Sequence, residues 1–272
     1  MVGCQGEILD YRVKLTQTII WDTAKNINAL LAGARGSGKS WLSMYIALKL
    51  AHLGDNTQAQ TQIFIIDFKQ SDVFKLKKFL PDGRVAGTKE EIFEVLEKFV
   101  SLMKERAKFI TENAEFGSTA SSLGMPLYYL WYDEFGAVTP TLDTKEKKRH
   151  DELLAQIALL GRQYNFGILA IMQQASVGNS GLNSNIKEQF GLICHMGQAH
   201  KVAYKQTFGE GVKIPDIRLE TGQGLLRLQG ITRNGIVQTF SSPELTGLNL
   251  WEKFEKAFSN QSDNGYLTKI TE

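Results

Sequence analysis

The sequence predicts an α/β domain in which a mainly parallel β-sheet carries helices on both faces. Two observations support this fold class. Short, nearly uninterrupted apolar runs of strand length alternate with longer segments whose apolar residues recur at helical spacing. Strands that alternate with helices imply right-handed crossovers, and therefore a parallel sheet. The expected parallel strands are residues 28–32, 63–66, 127–132, 166–172 and 192–196.

The connecting segments complete the predicted order of elements. Thr88 and Glu91 have the spacing of a capping box at the start of a long helix. We expect one α/β domain over residues 1–246, with short N-terminal strands, and over residues 247–272 an amphipathic helix with a polar tail that frays after residue 259. The other predicted elements are short N-terminal strands within 1–27, helices at 41–53, 88–111 and 150–164, polar loops at 54–62, 113–126 and 140–148, and a hairpin of 225–228 with 236–240.

Composition excludes several classes of protein. The 272 residues include 31 basic and 29 acidic side chains, and the net charge of +2 is too small for a protein that coats nucleic acid. Cys4 and Cys194 are too far apart for a metal or redox motif. No apolar run approaches the roughly 18–20 residues of a membrane span, and the N-terminus lacks the pattern of a signal peptide. We expect a soluble bacterial cytoplasmic protein that reaches a membrane only through a partner.

Residues 33–40 fit the phosphate-binding pattern G-x-x-x-x-G-K-[ST]. In such a loop, glycines let backbone N–H groups face the phosphates, the lysine (Lys39) reaches the β- and γ-phosphates, and the hydroxyl of Ser40 binds Mg²⁺. The apolar run before the loop and the helical pattern after it favour this interpretation over a chance glycine-rich turn. The predicted nucleotide-binding residues are Gly33, Ala34, Arg35, Gly36, Ser37, Gly38, Lys39, Ser40 and Trp41.

Two further polar positions stand at strand ends. Asp133 and Glu134 follow an apolar strand, where Asp133 can hold Mg²⁺ and Glu134 can polarise the attacking water. NTPases with this extra glutamate insert a strand between the phosphate-loop strand and the acidic strand, so we predict a RecA-like P-loop NTPase of the extra-glutamate (ASCE) class. The inserted strand ends in Gln173, which would face the γ-phosphate. The alternatives are a solvated acidic pair and a strand-end glutamine without function.

Arg162 lies at the end of the helix before the inserted strand. In a ring, an arginine at this place can reach the nucleotide of the neighbouring subunit and neutralise charge in the transition state. It can equally be an ordinary cation at a helix C-terminus. Arg149 is a second candidate for the same role.

Together these residues resemble the FtsK/HerA superfamily of ring translocases, and within it the FtsK/SpoIIIE motor domain. Residues 18–22 look like the family's entry to its phosphate loop, 65–69 are similar to its D-P-K segment with Phe68 in place of proline, and 103–106 resemble its M-x-x-R helix. Arg162 precedes Gln173 by the spacing of the family's R-A…A-T-Q segment, although residues 174 and 175 depart from Q-R-P-S. Residues 161–163 and 189–191 are most similar to TcpA-type coupling proteins of plasmids and conjugative elements.

The resemblance implies an ATP-driven DNA translocase that works as a hexameric ring with Mg²⁺. Lys39, Glu134 and Gln173 would act in one subunit and Arg162 from the next. The expected DNA-contacting elements are a basic loop at residues 145–149 and a glycine-rich loop at 178–185, for each of which a solvated surface loop is the alternative. The family's membrane helices and winged-helix domain have no counterpart here, so we expect a motor domain alone.

Two rival functions share the same nucleotide residues. In the first, the motor serves a conjugative or packaging machine through a membrane, relaxase or replication partner. In the second, it moves protein in secretion or filamentous-phage assembly. An apolar helical face at Trp251, Phe254 and Phe258 can dock such a partner or cover the domain's own core.

Overall fold

The structure, a computed structural model, describes residues 9–54, 59–173, 182–232, 236–262 and 267–270. Strands and helices alternate within these ranges, as the apolar pattern predicts. The strands are β1 (Arg12–Lys14), β2 (Ile20–Asp22), β3 (Asn28–Gly33), β4 (Gln62–Asp67), β5 (Val85–Ala86), β6 (Tyr128–Asp133), β7 (Phe166–Met172), β8 (Phe190–Met196), β9 (Gln223–Leu228) and β10 (Gln238–Ser241). The helices are α1 (Lys39–Ala51), α2 (Lys89–Asn113), α3 (Phe135–Val138), α4 (Thr144–Tyr164), α5 (Ser184–Lys187), α6 (Lys201–Phe208) and α7 (Leu250–Ala257).

Eight of these strands form one sheet in the order β10-β9-β8-β3-β7-β6-β4-β5. The strands from β8 to β5 pair in parallel, whereas β9 and β10 add antiparallel at one edge. The predicted α/β fold with a mainly parallel sheet is confirmed. Strand β7 lies between β3 and β6, which is the inserted position expected from the extra glutamate.

Helices cover both faces of the sheet because every central strand is apolar on both sides. In β3, Leu30 and Ala32 join the core beneath α2 and α4. Ala29 and Leu31 join the opposite core, beneath α1, α7 and the β1–β2 hairpin. Because successive side chains of a strand point to opposite faces of the sheet, each apolar strand contributes to both cores.

We expected a polar loop at residues 140–148. The second half of that prediction is wrong, because α4 already begins at Thr144. Asp143 caps this helix: its Oδ1 accepts hydrogen bonds from the backbone N–H groups of Lys145 and Glu146, both at 2.8 Å. The Glu146 carboxylate accepts the N–H of Asp143 in return at 2.9 Å, which completes a capping box. The basic cluster therefore lies on a helix and not on a loop.

The helical face of α7 mainly covers the domain's own core. Phe254 and Phe258 are buried, and Phe254 stacks on Trp131 of β6 with ring centroids 6.1 Å apart. Trp251 remains 41% exposed at the rim. No helix in the described parts of the chain is long and apolar enough to cross a membrane.

The polar tail does not fray where the structure describes it. Gln261 lies against β4: its Oε1 accepts the N–H of Ile63 at 2.8 Å, and its Nε2 donates to the carbonyl of Thr61 at 2.8 Å. Buried Arg84 donates to Gln261 Oε1 and to Gln62 Oε1. The predicted fraying is wrong at these positions, because backbone groups at the end of a strand need partners.

Arg106 of α2 joins three distant segments at the same edge of the sheet. Its buried guanidinium donates to the carbonyls of Leu267, Pro126 and Tyr164 at 2.7–2.9 Å. It also lies over the rings of Tyr128 and Phe166, which start β6 and β7. Burial lowers the pKa of Arg106 to about 10, so it stays charged at neutral pH.

Candidate active site

The phosphate loop joins the carboxyl end of β3 to the start of α1. Gly33, Gly36 and Gly38 have φ values of 143°, 78° and 99°, a region that side chains disfavour. A Cβ on Gly33 would also lie 2.4 Å from the carbonyl oxygen of Met196 on β8. The N–H groups at the start of α1 lack a side-chain cap and are free to meet an anion.

Lys39 is the first residue of α1 and folds back over the loop. Its Nζ donates to the carbonyl of Ala34 at 2.8 Å, and the residue is 8% exposed. Burial lowers the pKa of Lys39, while Glu134 and Asp133 oppose that shift. In this structure the ammonium is thus bound to a carbonyl of the loop itself.

The acidic pair lies at the same edge of the sheet. Glu134 has a left-handed backbone conformation, with φ 48°, where β6 turns into α3. Its Oε2 contacts Lys69 Nζ at 3.2 Å and Gln173 Nε2 at 3.4 Å. The Gln173 carbonyl in turn accepts the N–H of Gly33 at 3.3 Å. The structure therefore brings Glu134, Gln173 and the phosphate loop together.

Asp133 lies in a strongly acidic setting. Burial, and then the neighbouring charges of Asp67 and Glu134, raise its pKa to about 6. Asp67 is paired with Asp133 in register, and its Oδ1 is buried with no hydrogen-bond partner among the described residues. Within the described residues, Asp67 Oδ1 therefore has no partner beside a carboxyl group, Asp133, whose pKa is raised. Both features fit a site at which a bound cation would neutralise the negative charge.

The described residues contain no cluster of three His, Cys, Asp or Glu side chains able to hold a metal unaided. Mg²⁺ is commonly held by one or two protein ligands together with water and substrate phosphates. Asp133 and the Ser40 hydroxyl therefore suit an ion that arrives with a nucleotide.

The Asp133→Asn variant is expected to be more stable than the parent chain when neither nucleotide nor metal is bound. The pKa of Asp133 in the folded protein lies above the ordinary 3.8, so the ionised carboxylate opposes folding. That penalty is absent below about pH 4, grows as the pH rises and is complete above about pH 6. Denaturant melts at pH 7.5 with EDTA should show a gain of about 3 kcal/mol that vanishes near pH 4.

Asp82→Asn, in an exposed turn, is the matched control for this measurement. An equal gain in that variant, or a gain in Asp133→Asn that persists at pH 4, would contradict the electrostatic cause.

Arg162 lies away from this site. It is exposed in the last turn of α4, at the amino edge of the sheet, where β7 begins. The seven residues of β7 span about 20 Å, so Arg162 is at the far edge from its own phosphate loop. Arg149, the other candidate, pairs with Glu97 of α2 and lies over the ring of Phe93.

Two residues near the loop were not predicted as site residues. Lys69 pairs with Glu134, and the sequence marked it only as the last residue of the segment that is similar to D-P-K, without a role in the site. His195 lies beside Ala32 in register, and its Nδ1 is 2.7 Å from Thr207 Oγ1. Burial, and then the charge of Lys39, lower the pKa of His195 to about 4, so the ring is neutral.

A cavity of about 360 Å³ opens beside the start of α1. Trp41, 49% exposed, borders it, and the opposite wall comes from the segments around β9 and β10. Ser241, Ser242 and Glu244 give that wall polar groups. The residues that line this cavity are far apart in the sequence, so no local sequence pattern predicts it.

Comparison with known proteins finds a family that part of the chain resembles. Residues 11–122 match the model of the FtsK/SpoIIIE family. The chain is similar to this family over 112 of its 272 residues. The matched residues include the phosphate loop, whereas Asp133, Glu134, Arg162 and Gln173 lie beyond them.

A curated relative of the domain is the FtsK domain-containing protein YdcQ of Bacillus subtilis (strain 168). The two are 28% identical over 231 residues, which cover 84% of this chain and 45% of that protein. The chain thus spans about half the length of the curated relative it matches.

Solved structures share the fold at low sequence identity. The conjugation coupling protein TcpA of pCW3 is 17% identical with a TM-score of 0.70, over 87% of this chain and 66% of that one. The cytoplasmic domain of the type VII secretion ATPase EccC from Thermomonospora curvata is 16% identical with a TM-score of 0.69, over 96% of this chain and 32% of that one. These likenesses agree with the RecA-like fold of the domain.

Proposed function

We propose that the chain carries an FtsK/SpoIIIE-type domain that hydrolyses ATP and uses the energy to move DNA through a hexameric ring. The observation that carries the proposal is the convergence of Lys39, Asp133, Glu134 and Gln173 beside the phosphate loop, with Arg162 exposed at the opposite edge of the sheet. The first four residues supply a hydrolytic site. Arg162 would supply a positive charge to the nucleotide site of the neighbouring subunit.

The chain's own residues have distinct tasks in hydrolysis. Backbone N–H groups of residues 33–40 hold the phosphates, and Lys39 leaves the Ala34 carbonyl to contact them. Glu134 accepts the proton of the attacking water, and the Gln173 amide contacts the γ-phosphate. Ser40 and Asp133 would hold Mg²⁺, which when bound neutralises phosphate charge.

The cavity beside Trp41 suits the base and ribose of the nucleotide. It adjoins Gly38 of the phosphate loop, and the exposed indole offers a face on which a base can stack. Ser241, Ser242 and Glu244 can hydrogen-bond the ribose hydroxyls or the base. Burial of a purine here would complete the nucleotide site.

The predicted DNA-contacting segments lie side by side in the part that the structure describes. Lys147 and Lys148 on the first turns of α4 line a groove of about 470 Å³ with Asn183 and Asn185. Residues 178–181 of the second segment lie outside the described residues. Asp151 and Glu152 also line the groove, and Glu152 pairs with Lys148 at 3.9 Å. The ammonium and amide groups suit contact with phosphates and not with bases, provided that the phosphates displace this ion pair. Such contacts allow a motor to step along any sequence.

We infer that the whole protein serves a plasmid, phage or conjugative element in the bacterial cytoplasm, with membrane recruitment through a partner protein. We also propose the organisation expected from the sequence, with a motor domain over residues 1–246 and a C-terminal amphipathic helix and tail over residues 247–272. A protein-moving ATPase is the second candidate, because a type VII secretion ATPase shares the fold.

The deciding experiment measures ATP turnover with and without long double-stranded or single-stranded DNA, alongside particle size in ATP. We expect DNA to stimulate turnover several-fold, and Lys39→Ala to abolish it. Lys104→Ala, an exposed change on α2, is the control. Stimulation should weaken as salt rises, because phosphate contacts release counterions. Unchanged turnover with DNA in intact rings would reject DNA as the track and favour the protein-moving ATPase.

A further inference from the structure

Lys69 is a charged side chain at the candidate active site that has no task in the hydrolysis proposed above. Its Nζ lies 3.2 Å from Oε2 of Glu134, the residue expected to accept the proton of the attacking water. The same carboxylate oxygen lies 3.4 Å from Nε2 of Gln173. A cation is thus held directly on the proposed base.

The turn that carries Lys69 is built on Asp67, the last residue of β4. Oδ2 of the buried Asp67 accepts the backbone N–H and the hydroxyl of Ser71, both at 2.7 Å, and the N–H of Phe74 at 3.1 Å. The N–H of Gln70, which has φ 50°, donates to the Asp67 carbonyl at 3.0 Å. Because these bonds fix the backbone around Lys69, its side chain starts from a defined position at the carboxyl edge of the sheet.

The ion pair between Lys69 and Glu134 contributes little to the fold. The side chain of Lys69 is 47% exposed, and that of Glu134 is 15% exposed. Water screens an ion pair that has one partner half in solvent, so such a pair adds little to stability. The turn is held by the Asp67 carboxylate without help from the ammonium. Stability of the fold therefore does not account for a cation at this place.

The charge of Lys69 also acts on two other groups of the site. Burial raises the pKa of Asp133 and lowers that of Lys39, and the positive charge of Lys69 lowers both. Asp133 is a proposed Mg²⁺ ligand, and Lys39 is expected to reach the β- and γ-phosphates. Lys69 therefore faces the same space as the residues that surround the end of the triphosphate.

A γ-phosphate in this site would lie within reach of Lys69. An attacking water stands about 2.6–3.2 Å from its base and about 3–3.5 Å from the atom that it attacks, so the phosphorus is at most about 6–7 Å from the Glu134 carboxylate. The flexible four-carbon stem of a lysine can cross that gap. A γ-phosphate carries more negative charge than one carboxylate, so it attracts the ammonium more strongly.

We propose that Lys69 is a further catalytic residue, which pairs with Glu134 until ATP binds and then contacts the γ-phosphate. A carboxylate paired with a cation is a weaker base, so the pair holds back hydrolysis before ATP is in place. The transfer of the ammonium to the phosphate frees Glu134 to accept the proton. The inference rests on the hydrolytic part of the proposed function and requires neither DNA nor a ring.

Lys69 forms and breaks no covalent bond in this step. The water oxygen bonds to the γ-phosphorus, and the proton of the water passes to Glu134. The bond from the γ-phosphorus to the bridging oxygen breaks, and its electron pair stays with ADP. The ammonium stabilises the negative charge that spreads over the other γ-phosphate oxygens.

The first test compares Lys69→Met, which keeps the apolar stem, with Lys69→Arg, which keeps the charge. Lys69→Met should slow single-turnover hydrolysis at least about tenfold. It should also weaken ATP binding at least about threefold and leave ADP binding unchanged, because ADP has no γ-phosphate. Lys69→Arg should recover part of both losses. Lys75→Met is the matched control, since Lys75 is exposed and pairs with Asp72 at 2.6 Å in the same segment.

The second test needs no turnover and uses the Glu134→Gln background. There the ammonium is released from its carboxylate, so a direct contact with the γ-phosphate predicts that adding Lys69→Met still weakens ATP binding at least about threefold. If Lys69 acts only through Glu134, the added change has no effect on ATP binding, and the contact with phosphate is rejected. The melting temperature of Lys69→Met should stay within about 2 °C of the parent's.

Turnover of Lys69→Met at the parent's rate would overturn the inference, as would an equal loss of affinity for ATP and ADP. Either result, with DNA-stimulated turnover in the parent, would leave the proposed function standing. A parent chain that binds ATP but does not hydrolyse it, with or without DNA, would reject the proposed function. The binding of ATP and ADP to the Lys69 variants would still decide whether Lys69 contacts the γ-phosphate.

Discussion

Replacing Glu134 with glutamine is expected to lower ATP turnover by about 10²–10⁴-fold while ATP binding persists. The amide keeps the size of the side chain but cannot accept the proton of the attacking water. Because Glu134 also pairs with Lys69, the variant frees that ammonium to meet a phosphate, so the affinity for ATP should not fall. Single-turnover hydrolysis and a fluorescent-nucleotide binding assay separate the two effects.

Glu105→Gln, at an exposed position of α2, is the matched control and should turn over ATP normally. Near-normal turnover by Glu134→Gln would mean that Glu134 serves only to position Lys69 and the turn into α3. Loss of binding together with turnover would contradict the assignment of Glu134 to the chemical step.

Replacing Arg106 with methionine is expected to destabilise the fold by at least about 3 kcal/mol. Methionine fills much of the same volume but leaves the carbonyls of Pro126, Tyr164 and Leu267 without their donor. A buried polar group that loses its partner costs about 1–3 kcal/mol. For a domain of this size the melting temperature should fall by about 6–12 °C.

Lys104→Met, two residues earlier on the exposed face of α2, is the control and should change stability by less than about 0.5 kcal/mol. An equally small effect of Arg106→Met would show that water or a rearranged tail can satisfy the three carbonyls. Differential scanning calorimetry of both variants without nucleotide decides between these outcomes.

Much of the fold could be predicted because buried parallel strands leave a clear signal. The runs that became β4, β6, β7 and β8 are apolar on both faces and bounded by polar residues. Even the place of β7 followed from Glu134, since the extra glutamate accompanies an inserted strand. The start of α4 was missed because its lysines were interpreted as loop residues, although Asp143 and Glu146 have the spacing of a capping box. Helix α6 was also missed, since it is short and only Tyr204, Thr207 and Phe208 are buried.

The candidate site was predictable only where its residues follow strands. The loop, Asp133, Glu134 and Gln173 meet because parallel strands deliver their carboxyl ends to one edge. Arg162 ends the helix that leads into β7, so the predicted parallel topology already places it at the opposite, amino edge of the sheet. The cavity beside Trp41 needs β9 and β10, about 180 residues away in sequence, and no local pattern links them.

The central position of β3 in the sheet also determines how early during synthesis the nucleotide site can form. Its hydrogen-bonding neighbours are β7 and β8, so the strand that bears the phosphate loop has no lateral partner until residue 172 has been made, and gains its second only at residue 196. At roughly 5–20 residues per second, the ribosome needs about 7–28 s after Gly33 to reach the first of these points. During this interval a fully apolar strand is exposed, and a chaperone can bind it before ATP does. The nucleotide site, which begins near the N-terminus, is thus among the last parts of the domain to form.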